Sequence, residues 1–524
     1  MVCGIKQVER NVGMLAGPFV SGALWVYLAL AVGLVAAYVM AAGWLGETGF
    51  PLDDAWIHQT YARNLALTGR WEYVRGQVSA GSTAPLWTAL LAVGYLLRFP
   101  YQWWAWGLGV LLLALTGRLA HKLAGQLFPQ PGWLGPAVGL LCVGEWRLVW
   151  AAASGMETLL YVALELALLD VGYWVGQVTP HASRLTPRAL WAGLLAGLLV
   201  LTRPEGVVLV GLLGLWGTWL AARGRWPLRR AWRAGVAAAL PLVLLVVPYL
   251  LFNFSLSGRW WPNTFYAKQT EYATLLALPF LVRLGRVALP LLAGFQVLLV
   301  PGLVYWILGI RHSPVTQYPS LLLPILYSLL HLLLYALRLP VTYQHGRYLM
   351  PVIPLLILIG VGGTARWLRP RHPVLWRRVL SRAWPVALGV TLLAFLAMGA
   401  RAYARDVQVI QSEMVAVSHW LAENTEPDEW VAAHDIGAMG YFAGRPILDL
   451  AGLISPDVIP LMDDEATLAG YILAGRARYL VTAPGWPYQE LTGRPEVTLL
   501  YSADSPWTAA EGLDSSAVYR LPAH

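Results

Sequence analysis

Long apolar runs separated by short polar segments dominate the first 400 residues of the chain. A straight membrane span needs about 20 apolar residues, so these runs predict transmembrane helices. They lie near 20–44, 84–98, 102–117, 133–153, 156–177, 189–201, 205–222, 234–253, 288–310, 319–338, 348–365 and 383–400. No cleavable signal signature precedes the first run, and we expect it to be retained as a helix.

Basic residues orient the predicted helices, because loops rich in Lys and Arg stay in the cytoplasm. Lys6 and Arg10 place the N-terminus there, and basic clusters at 223–233 and 366–382 fix two later loops. An odd number of helices must then separate 223–233 from the first polar loop, which lies outside. Six runs are available between them, so we expect one run, 102–117, not to span, since basic residues flank it on both sides. About eleven spans remain, and the chain after the last one lies outside.

The composition supports this class of protein. The 524 residues are 58% hydrophobic and only 12% charged, and their mean hydropathy is +0.56. A soluble globular protein of this length would have too little polar surface, and the 27 Trp and 24 Tyr suit membrane interfaces. The two cysteines, Cys3 and Cys142, exclude a disulfide framework and a cysteine metal site. The sequence therefore predicts a polytopic α-helical membrane protein.

The chain after residue 400 has a different character. It carries seven basic and seventeen acidic residues, a net charge of −10, whereas residues 1–400 carry 30 and 11, a net charge of +19. Short apolar runs at 431–433, 447–448, 479–481 and 497–501 predict strands, and 411–421 predicts a helix. We therefore predict a transmembrane domain over 1–400 and a small extracytoplasmic α/β domain over 401–524. The basic excess of the first domain lies largely in short loops, where membrane topology explains it better than nucleic-acid binding.

Asp53 and Asp54 stand side by side after the first apolar run, in a region that holds only eleven carboxylates. Ile57, Tyr61 and Leu65 then recur every four residues, which predicts a short helix with one apolar face that lies in the membrane interface. Capping of that helix would explain both Asp residues. A carboxylate held at this position would equally serve as an acid, a base or a metal ligand.

Four further polar islands fall on the same outer face of the predicted topology. They are 154–158, 202–206, 262–268 and 344–348. Charged residues at membrane depth are costly and normally line a cavity, so we expect the islands to form one site. Arg203, Lys268 and Arg347 could neutralise the phosphate of a lipid there, although each of them alone could also extend towards the headgroups.

The carboxylates leave two chemical roles open. Asp53 or Asp54 could take a proton from an acceptor hydroxyl, or the pair could hold Mg²⁺ or Mn²⁺ with His58 or Glu157. No dedicated metal-ligand spacing is present, so we favour the base. The set of candidate substrate-binding residues comprises His58, Glu157, Glu205, Tyr266, His345, His434 and Asp435. The last two lie in a Gly-rich segment of the C-terminal domain that either is an ordinary turn or closes over the site and contacts an acceptor.

Seven segments run in order from residue 53 to about residue 455. They are DDAWIHQTYARNL, GSTAPLWTALLA, SGMET, LTRPEG, PNTFYAK, HGRYLMPVIP and HDIGAMGYF with RPILDLAGL. Together they resemble the GT-C superfamily of polytopic glycosyltransferases, in particular the bacterial group resembling terminal arabinofuranosyltransferases and, more distantly, protein O-mannosyltransferases. The segments are specific for the superfamily and not for the sugar.

The resemblance implies a polyprenyl-monophosphate sugar donor whose phosphate lies at the outer face. It also implies that a hydroxyl of a glycan, lipid or protein acceptor attacks the anomeric carbon with inversion. The acidic motif of the first loop maps to Asp53 and Asp54, and we favour Asp54 as the base because it stands at the helix start. Arg203, Lys268 and Arg347 match the phosphate-binding residues by type and location. Some members of the superfamily use a divalent metal, which leaves Mg²⁺ or Mn²⁺ open here.

Two other classes of function are alternatives. A transporter or flippase of lipid-linked sugars should show internal repeats with matching helix breaks in two halves, and no repeat is visible in the sequence. A membrane scaffold whose acidic tail is the working part would leave the polar islands unexplained.

Overall fold

A computed structural model describes residues 18–128, 131–177, 185–309, 321–368, 370–484 and 486–522. Most of these residues are helical. The helices are α1 (Pro18–Leu45), α2 (Asp54–Thr68), α3 (Pro85–Leu96), α4 (Tyr101–Leu127), α5 (Leu134–Val143), α6 (Trp146–Ala153), α7 (Thr158–Gln177), α8 (Leu185–Thr202), α9 (Gly206–Ala222), α10 (Leu228–Ser257), α11 (Asn263–Glu271), α12 (Ala273–Leu276), α13 (Phe280–Ala288), α14 (Val300–Gly309), α15 (Leu322–Arg338), α16 (Tyr343–Gly346), α17 (Val352–Trp367), α18 (Leu375–Ile410), α19 (Ala416–Asn424), α20 (Glu465–Ala474), α21 (Gln489–Thr492) and α22 (Pro506–Ala509). The strands are β1 (Trp430–Ala433), β2 (Ile447–Asp449), β3 (Ala477–Thr482), β4 (Thr498–Ser502) and β5 (Ala517–Arg520).

The described helices confirm the predicted polytopic α-helical body. Six are long and apolar enough to cross a membrane, and the number rises to eight if each of two bent pairs forms one span. The bent pairs are Phe280–Leu292 with Phe295–Leu308, bent by 97°, and Tyr343–Leu349 with Val352–Trp367, bent by 72°. The number of long spans is thus below the predicted eleven, because several predicted runs form shorter apolar helices. These are Pro85–Leu96, Leu134–Val143, Gly206–Ala222 and Leu322–Arg338.

The run 102–117, which we expected not to span, lies within α4. This helix is 27 residues long and is among the six that are apolar enough to cross. Its flanking basic charge is partly neutralised inside the bundle, since Nζ of Lys122 lies 2.7 Å from Oδ2 of Asp170. The run at 133–153 breaks instead, because the Glu145 side chain caps α6 by accepting hydrogen bonds from the backbone N–H groups of Arg147 and Leu148.

Glycine allows the closest helix contacts in the bundle. A Cβ atom at Gly109 of α4 would lie 1.9 Å from the carbonyl oxygen of Ala152 in α6. A Cβ atom at Gly193 of α8 would lie 2.0 Å from the carbonyl oxygen of Ala238 in α10. Small residues at such places let helix backbones approach each other in membranes. The first contact fixes α6, whose end leads directly into the polar island at 154–158.

Helix α2 forms where it was predicted, but it does not lie with a polar face in the membrane interface. Trp56 and Ala62 belong to the large core of the helical bundle. Ile57 and Tyr61 belong to a second core, shared with the C-terminal sheet. The helix is therefore enclosed on both sides, because the C-terminal part of the chain supplies apolar partners that the local pattern does not reveal.

The C-terminal sheet has the strand order β2-β1-β3-β5-β4. Strand β1 is parallel to both β2 and β3, whereas β5 is antiparallel to β3 and β4. Val431 and Ala433 pack in the core that contains Ile57 of α2, whereas Ala432 packs with Leu468 of α20 on the opposite face. The small α/β sheet domain is confirmed, with the four predicted strands present and β5 in addition.

The predicted boundary after residue 400 falls inside a helix. α18 runs without interruption from Leu375 to Ile410, and a π-helical turn, Gln411–Val415, joins it to α19. The helix predicted at 411–421 is thus the continuation of a long apolar helix. The division into domains over 1–400 and 401–524 stays a prediction, and α18 is the element that joins the two parts.

The contact between α4 and α6 predicts a specific loss of stability. Gly109→Ala should lower the apparent melting temperature of the detergent-solubilised protein, because inserting a methyl group into a tight contact costs about 1–3 kcal/mol. Gly107→Ala on the same helix has no neighbour within 4 Å of its added Cβ and is the matched control. It should leave stability unchanged or raise it slightly. Equal melting temperatures for the two variants would contradict the close approach.

Candidate active site

One cavity of about 260 Å³ collects residues from several distant loops. Seven of the candidate site residues line it, namely Asp54, His58, Glu157, Arg203, Glu205, Lys268 and Arg347. Its wall also contains apolar side chains, among them Ile57, Phe265 and Leu334. The structure therefore brings together polar islands that lie almost 300 residues apart in the chain.

Asp54 lies between two cations in this cavity. Nη2 of Arg347 donates a short hydrogen bond to Oδ2 of Asp54, and Nζ of Lys268 lies 3.6 Å from the same oxygen. Although burial raises the pKa of Asp54, Lys268 and Arg347 hold it well below its usual range. The carboxylate is thus ionised but weakly basic while both cations face it.

An unusual turn places Arg347 at the cavity. Gln344, His345 and Gly346 all have left-handed backbone angles, with φ of 52°, 58° and 70°. Such angles cost of order 1–3 kcal/mol for a residue other than glycine and persist only where other contacts hold them. Nε2 of His345 lies 2.7 Å from Oδ2 of Asp406, and its ring packs edge-on against Trp150. His345 thereby fixes the turn and does not line the cavity, contrary to its expected place among the substrate-binding residues.

A second set of charges surrounds Arg203. Nε of Arg203 lies 2.6 Å from Oε1 of Glu205, and its Nη1 lies 3.6 Å from Oε1 of Glu157. Nε2 of His58 lies 3.5 Å from the other oxygen of Glu157. Although burial raises the pKa of Glu157, His58 and Arg203 lower it to about 2. This carboxylate is therefore ionised at neutral pH and acts as a fixed negative charge beside the guanidinium group.

Three guanidinium nitrogens at the cavity have no hydrogen-bond acceptor among the described residues. They are Nε and Nη1 of Arg347 and Nη1 of Arg203. Both side chains are buried, with 5% and 7% of their surface exposed. Buried donors of this kind are nearly always satisfied in proteins. Their number here indicates a place for a ligand with several acceptor oxygens.

Sequence reasoning missed the tyrosines that hold the cations. Nζ of Lys268 donates hydrogen bonds to the hydroxyls of Tyr343 and Tyr348, at 3.2 Å and 3.0 Å. The hydroxyl of Tyr335 donates to Oε1 of Glu205 at 2.6 Å. Tyr343 and Tyr348 stand at the edges of the island at 344–348 and could have been found there. Tyr335 lies within an apolar run, which gave no signal.

Asp53 does not act as a helix cap, because its side chain makes no hydrogen bond to the start of α2. Its two oxygens accept hydrogen bonds from the backbone N–H groups of Gly437 and Ala438, at 2.6 Å and 2.8 Å. Burial and the nearby Asp435 carboxylate raise the pKa of Asp53 to about 8, against the lowering effect of the two N–H donors. Asp53 thus joins the first polar loop to the turn after β1 and is not among the residues that line the cavity.

The turn after β1 brings His434 and Asp435 near Asp54 but into a different cavity. Nδ1 of His434 lies 3.2 Å from the hydroxyl of Tyr488, and its Nε2 lies 3.9 Å from Glu271. Burial, followed by the charges of Asp54 and Glu271, raises the pKa of Asp435 to about 7. The hydrogen bond from the backbone N–H of Gly437 to Asp53 holds this turn beside the start of α2, where Asp54 lies.

Tyr266 is not brought to the cavity. Phe265 and Lys268 are three residues apart on α11 and share the face that lines it. The Tyr266 ring lies on another side of the helix, where the Arg259 guanidinium group is 4.9 Å from its centroid. Two side chains of the same polar island can therefore point in different directions, because successive residues of a helix lie on different sides of it.

The residues present do not fit a Mg²⁺ or Mn²⁺ site in this arrangement. Among the described residues, no group of three or more His, Cys, Asp and Glu side chains is placed to hold a metal ion. Oxygens of Asp54 face two cations, and both oxygens of Asp53 face backbone N–H groups. A hard divalent cation requires several oxygen ligands that converge on one point.

Solved structures of other proteins have a fold similar to that of this chain. The chain superposes with a TM-score of 0.57 on ArnT from Cupriavidus metallidurans bound to undecaprenyl phosphate, at 14% sequence identity, over 95% of this chain and 98% of ArnT. It superposes with a TM-score of 0.59 on the oligosaccharyltransferase of Archaeoglobus fulgidus tethered to an acceptor peptide, at 10% identity, over 88% of this chain and 69% of that one. The resemblance to GT-C glycosyltransferases is thereby confirmed at the level of the fold.

A third solved structure and one sequence family also match the chain. Mycobacterial arabinofuranosyltransferase AftD superposes with a TM-score of only 0.48, at 15% identity, over 97% of this chain and 42% of AftD. The closer likeness to arabinofuranosyltransferases therefore stays a prediction. A family described as "Domain of unknown function (DUF8728)" matches residues 399–519. No curated protein matches the chain in sequence.

The link between Asp53 and the turn after β1 predicts a structural role. Asp53→Ala leaves two buried N–H groups without an acceptor, each at a cost of about 1–3 kcal/mol. We expect a lower melting temperature and faster proteolytic release of the C-terminal region. Asp457→Ala removes an exposed carboxylate of the same region and is the matched control. Unchanged stability and proteolysis in Asp53→Ala would contradict the link.

The raised pKa of Asp435 predicts a pH-dependent effect on stability. A carboxyl group that binds its proton more tightly in the folded state makes the folded protein less stable as the pH rises. The loss occurs between the pKa of the unfolded state, about 4, and the pKa of the folded state, about 7. Asp435→Asn removes this loss. Its melting temperature relative to wild type should therefore increase between pH 4.5 and pH 7.5, and Asp457→Asn, which changes an exposed carboxylate, is the control. A constant offset for Asp435→Asn would show that Asp435 does not titrate in this range.

Proposed function

We propose that this protein is a glycosyltransferase that moves a sugar from a polyprenyl-phosphate donor to an acceptor hydroxyl, with inversion at the anomeric carbon. Arg203, Lys268 and Arg347 bind the donor phosphate, and Asp54 is the general base. A GT-C fold in which these four residues line one cavity supports the proposal. ArnT, which shares the fold, has been seen with undecaprenyl phosphate bound.

The observation that carries the proposal is the set of unused buried donors. Arg203 and Arg347 together present three guanidinium nitrogens without an acceptor in the described part of the chain. Lys268 adds a positive charge beside them. A phosphate monoester or diester offers several charged oxygens, and Arg can bind two of them at once. A ligand without acceptor oxygens would leave these donors unmatched.

Donor binding would also activate the base. In the structure Lys268 and Arg347 depress the pKa of Asp54 and so weaken it as a proton acceptor. A bound phosphate draws part of this positive charge to itself, so the pKa of Asp54 rises towards its ordinary value. The carboxylate then accepts the proton of the acceptor hydroxyl only when the donor is in place, which would limit wasteful chemistry without a donor.

The remaining steps follow from the same charges. The acceptor oxygen forms a bond to the anomeric carbon as the bond from that carbon to the phosphate oxygen breaks. The leaving polyprenyl phosphate carries the electron pair, and Arg203, Lys268 and Arg347 stabilise the negative charge that develops on it. The ionised Glu157 can accept hydrogen bonds from sugar hydroxyls, and the ring of His58 can donate or accept them. Asp53 positions Asp54 through its hold on the turn after β1.

We further propose the orientation that the basic loops predict. The N-terminus lies in the cytoplasm, and the cavity opens at the outer face of the cell membrane. The region 401–524 is extracytoplasmic and covers the cavity from that side, since the sheet packs on α2. The acceptor is a glycan, lipid or protein that reaches the cavity from outside, whereas the donor reaches it from the bilayer.

The activity of Asp54→Asn tests this function. With purified protein and polyprenyl-phosphate sugars, the variant should lose about 10²–10⁴-fold in kcat, since it removes the general base. Its affinity for the donor should not fall, because the cations gain freedom to face the phosphate. Asp457→Asn is the matched control and should keep full activity. Transfer at the wild-type rate by Asp54→Asn would refute the assigned base.

The same assay separates the enzyme from a transporter or flippase. A transporter would move the intact lipid-linked sugar across vesicle membranes without releasing free polyprenyl phosphate. The proposed enzyme releases one polyprenyl phosphate for each sugar transferred. Translocation without release, in wild type and in Asp54→Asn alike, would favour the transporter.

A further inference from the structure

A second cavity, of about 430 Å³, lies in the C-terminal region. Its walls come from the end of α18 and the π-helical turn, the turn after β1, the segment after β3, and residues 508–516. None of its lining residues is shared with the first cavity. It is therefore a separate space, and the residues assigned to donor binding do not explain it.

Two buried side-chain oxygens at this cavity lack hydrogen-bond partners among the described residues. Glu413 is 2% exposed, and its Oε2 accepts a hydrogen bond from the backbone N–H of Ser516, whereas its Oε1 has no donor. The hydroxyl oxygen of Thr508 is likewise buried and unpaired. A buried carboxylate oxygen without a hydrogen-bond donor is costly. The geometry thus calls for a ligand or water that donates hydrogen bonds.

The charges at the cavity exclude a second phosphate site. Glu413, Asp435 and Asp514 line it, and its described lining contains no Lys or Arg. Burial lowers the pKa of His434, so this ring favours its neutral form. An anion would meet only repulsion there, whereas hydroxyl groups could donate to the carboxylates. The first cavity differs, because Arg and Lys side chains line it together with carboxylates.

The cavity also offers an aromatic surface next to the proposed reaction centre. Trp486 lines it with 38% of its surface exposed, and its ring lies 5.1 Å from that of His434. Exposed indole faces suit the apolar faces of sugar rings. Asp435 lines this cavity two residues before Gly437, whose backbone N–H donates a hydrogen bond to Asp53, so this edge of the cavity lies beside the Asp53–Asp54 pair.

We propose that the second cavity binds the acceptor, and that this acceptor is a polyhydroxylated, uncharged group such as a saccharide. Its hydroxyls donate hydrogen bonds to Glu413 and Asp435, and one ring packs on Trp486. The hydroxyl to be glycosylated then points past Asp435 towards Asp54. The assignment of this ligand as an acceptor rests on the proposed glycosyltransferase function, whereas the binding of a saccharide does not.

Direct binding tests the cavity without any assumption about catalysis. The full chain in detergent is titrated with methyl α-mannoside, methyl α-glucoside and methyl α-arabinofuranoside by saturation-transfer NMR, with putrescine as a cationic probe. At least one glycoside should bind, and Glu413→Gln and Trp486→Ala should each weaken it about tenfold, the effect of one lost hydrogen bond to a charged group or one lost aromatic contact. Glu423→Gln changes an exposed carboxylate outside both cavities and should bind as wild type.

Transfer kinetics then test the role of the ligand. Glu413→Gln and Trp486→Ala should raise the acceptor KM about tenfold and leave the donor KM unchanged. Glycoside binding that depends on both residues, without transfer from any donor, would uphold the saccharide site and refute the proposed function. Transfer by wild type with no change of acceptor KM in either variant would refute the acceptor site. Binding of putrescine alone, or no binding of any probe, would overturn the saccharide assignment.

Discussion

The charge cluster around Asp54 is the interaction on which the rest of the site depends. Removing charges from water is costly unless they are paired, so Asp54, Lys268 and Arg347 stabilise one another only while their loops stay together. The loops belong to α2, α11 and the strained turn before α17, which are far apart in the chain. This pairing therefore draws three separate helical segments to one cavity. Nε and Nη1 of Arg347 have no acceptor among the described residues, so the cluster leaves hydrogen-bonding capacity unused.

The position of α2 couples this cluster to the C-terminal sheet. One side of the helix packs in the core of the helical bundle, and the other packs against residues of β1, β3 and α19. The carboxylate of Asp53 adds hydrogen bonds to the turn after β1. The two adjacent aspartates thus have different surroundings, because Asp53 faces backbone donors and Asp54 faces the side chains of Lys268 and Arg347. The same turn carries Asp435 to the border between the two cavities.

Much of this arrangement could be predicted from the sequence. The excess of apolar residues and the polar islands indicated a membrane protein in which Asp54, Arg203, Lys268 and Arg347 come together. These four residues line one cavity, and the fold agrees with the resemblance to GT-C enzymes. Side-chain direction was not available from the pattern. Tyr266 stands two residues before Lys268 on the same helix and points to a different side. His345 is turned towards Asp406 by left-handed backbone angles.

Long-range packing could not be predicted either. The burial of α2 depends on a sheet that lies more than 370 residues later in the chain. The spacing of apolar residues within α2 does not distinguish this packing from that of a helix in the membrane interface. The tyrosines that hold Lys268 and Glu205 lie in apolar runs or at island edges, where aromatic residues are expected in any membrane protein. The second cavity is formed entirely by tertiary contacts, and only His434 and Asp435 drew attention to it in the sequence.

A structure of the protein with a bound polyprenyl-phosphate analogue, determined by electron cryomicroscopy, tests the central claim most directly. The account predicts that the phosphate lies in the first cavity, within hydrogen-bond distance of Arg347 and of Arg203 or Lys268, and that Asp54 has separated from at least one of its two cations. A phosphate bound elsewhere, with the cluster of Asp54, Lys268 and Arg347 unchanged, would contradict it.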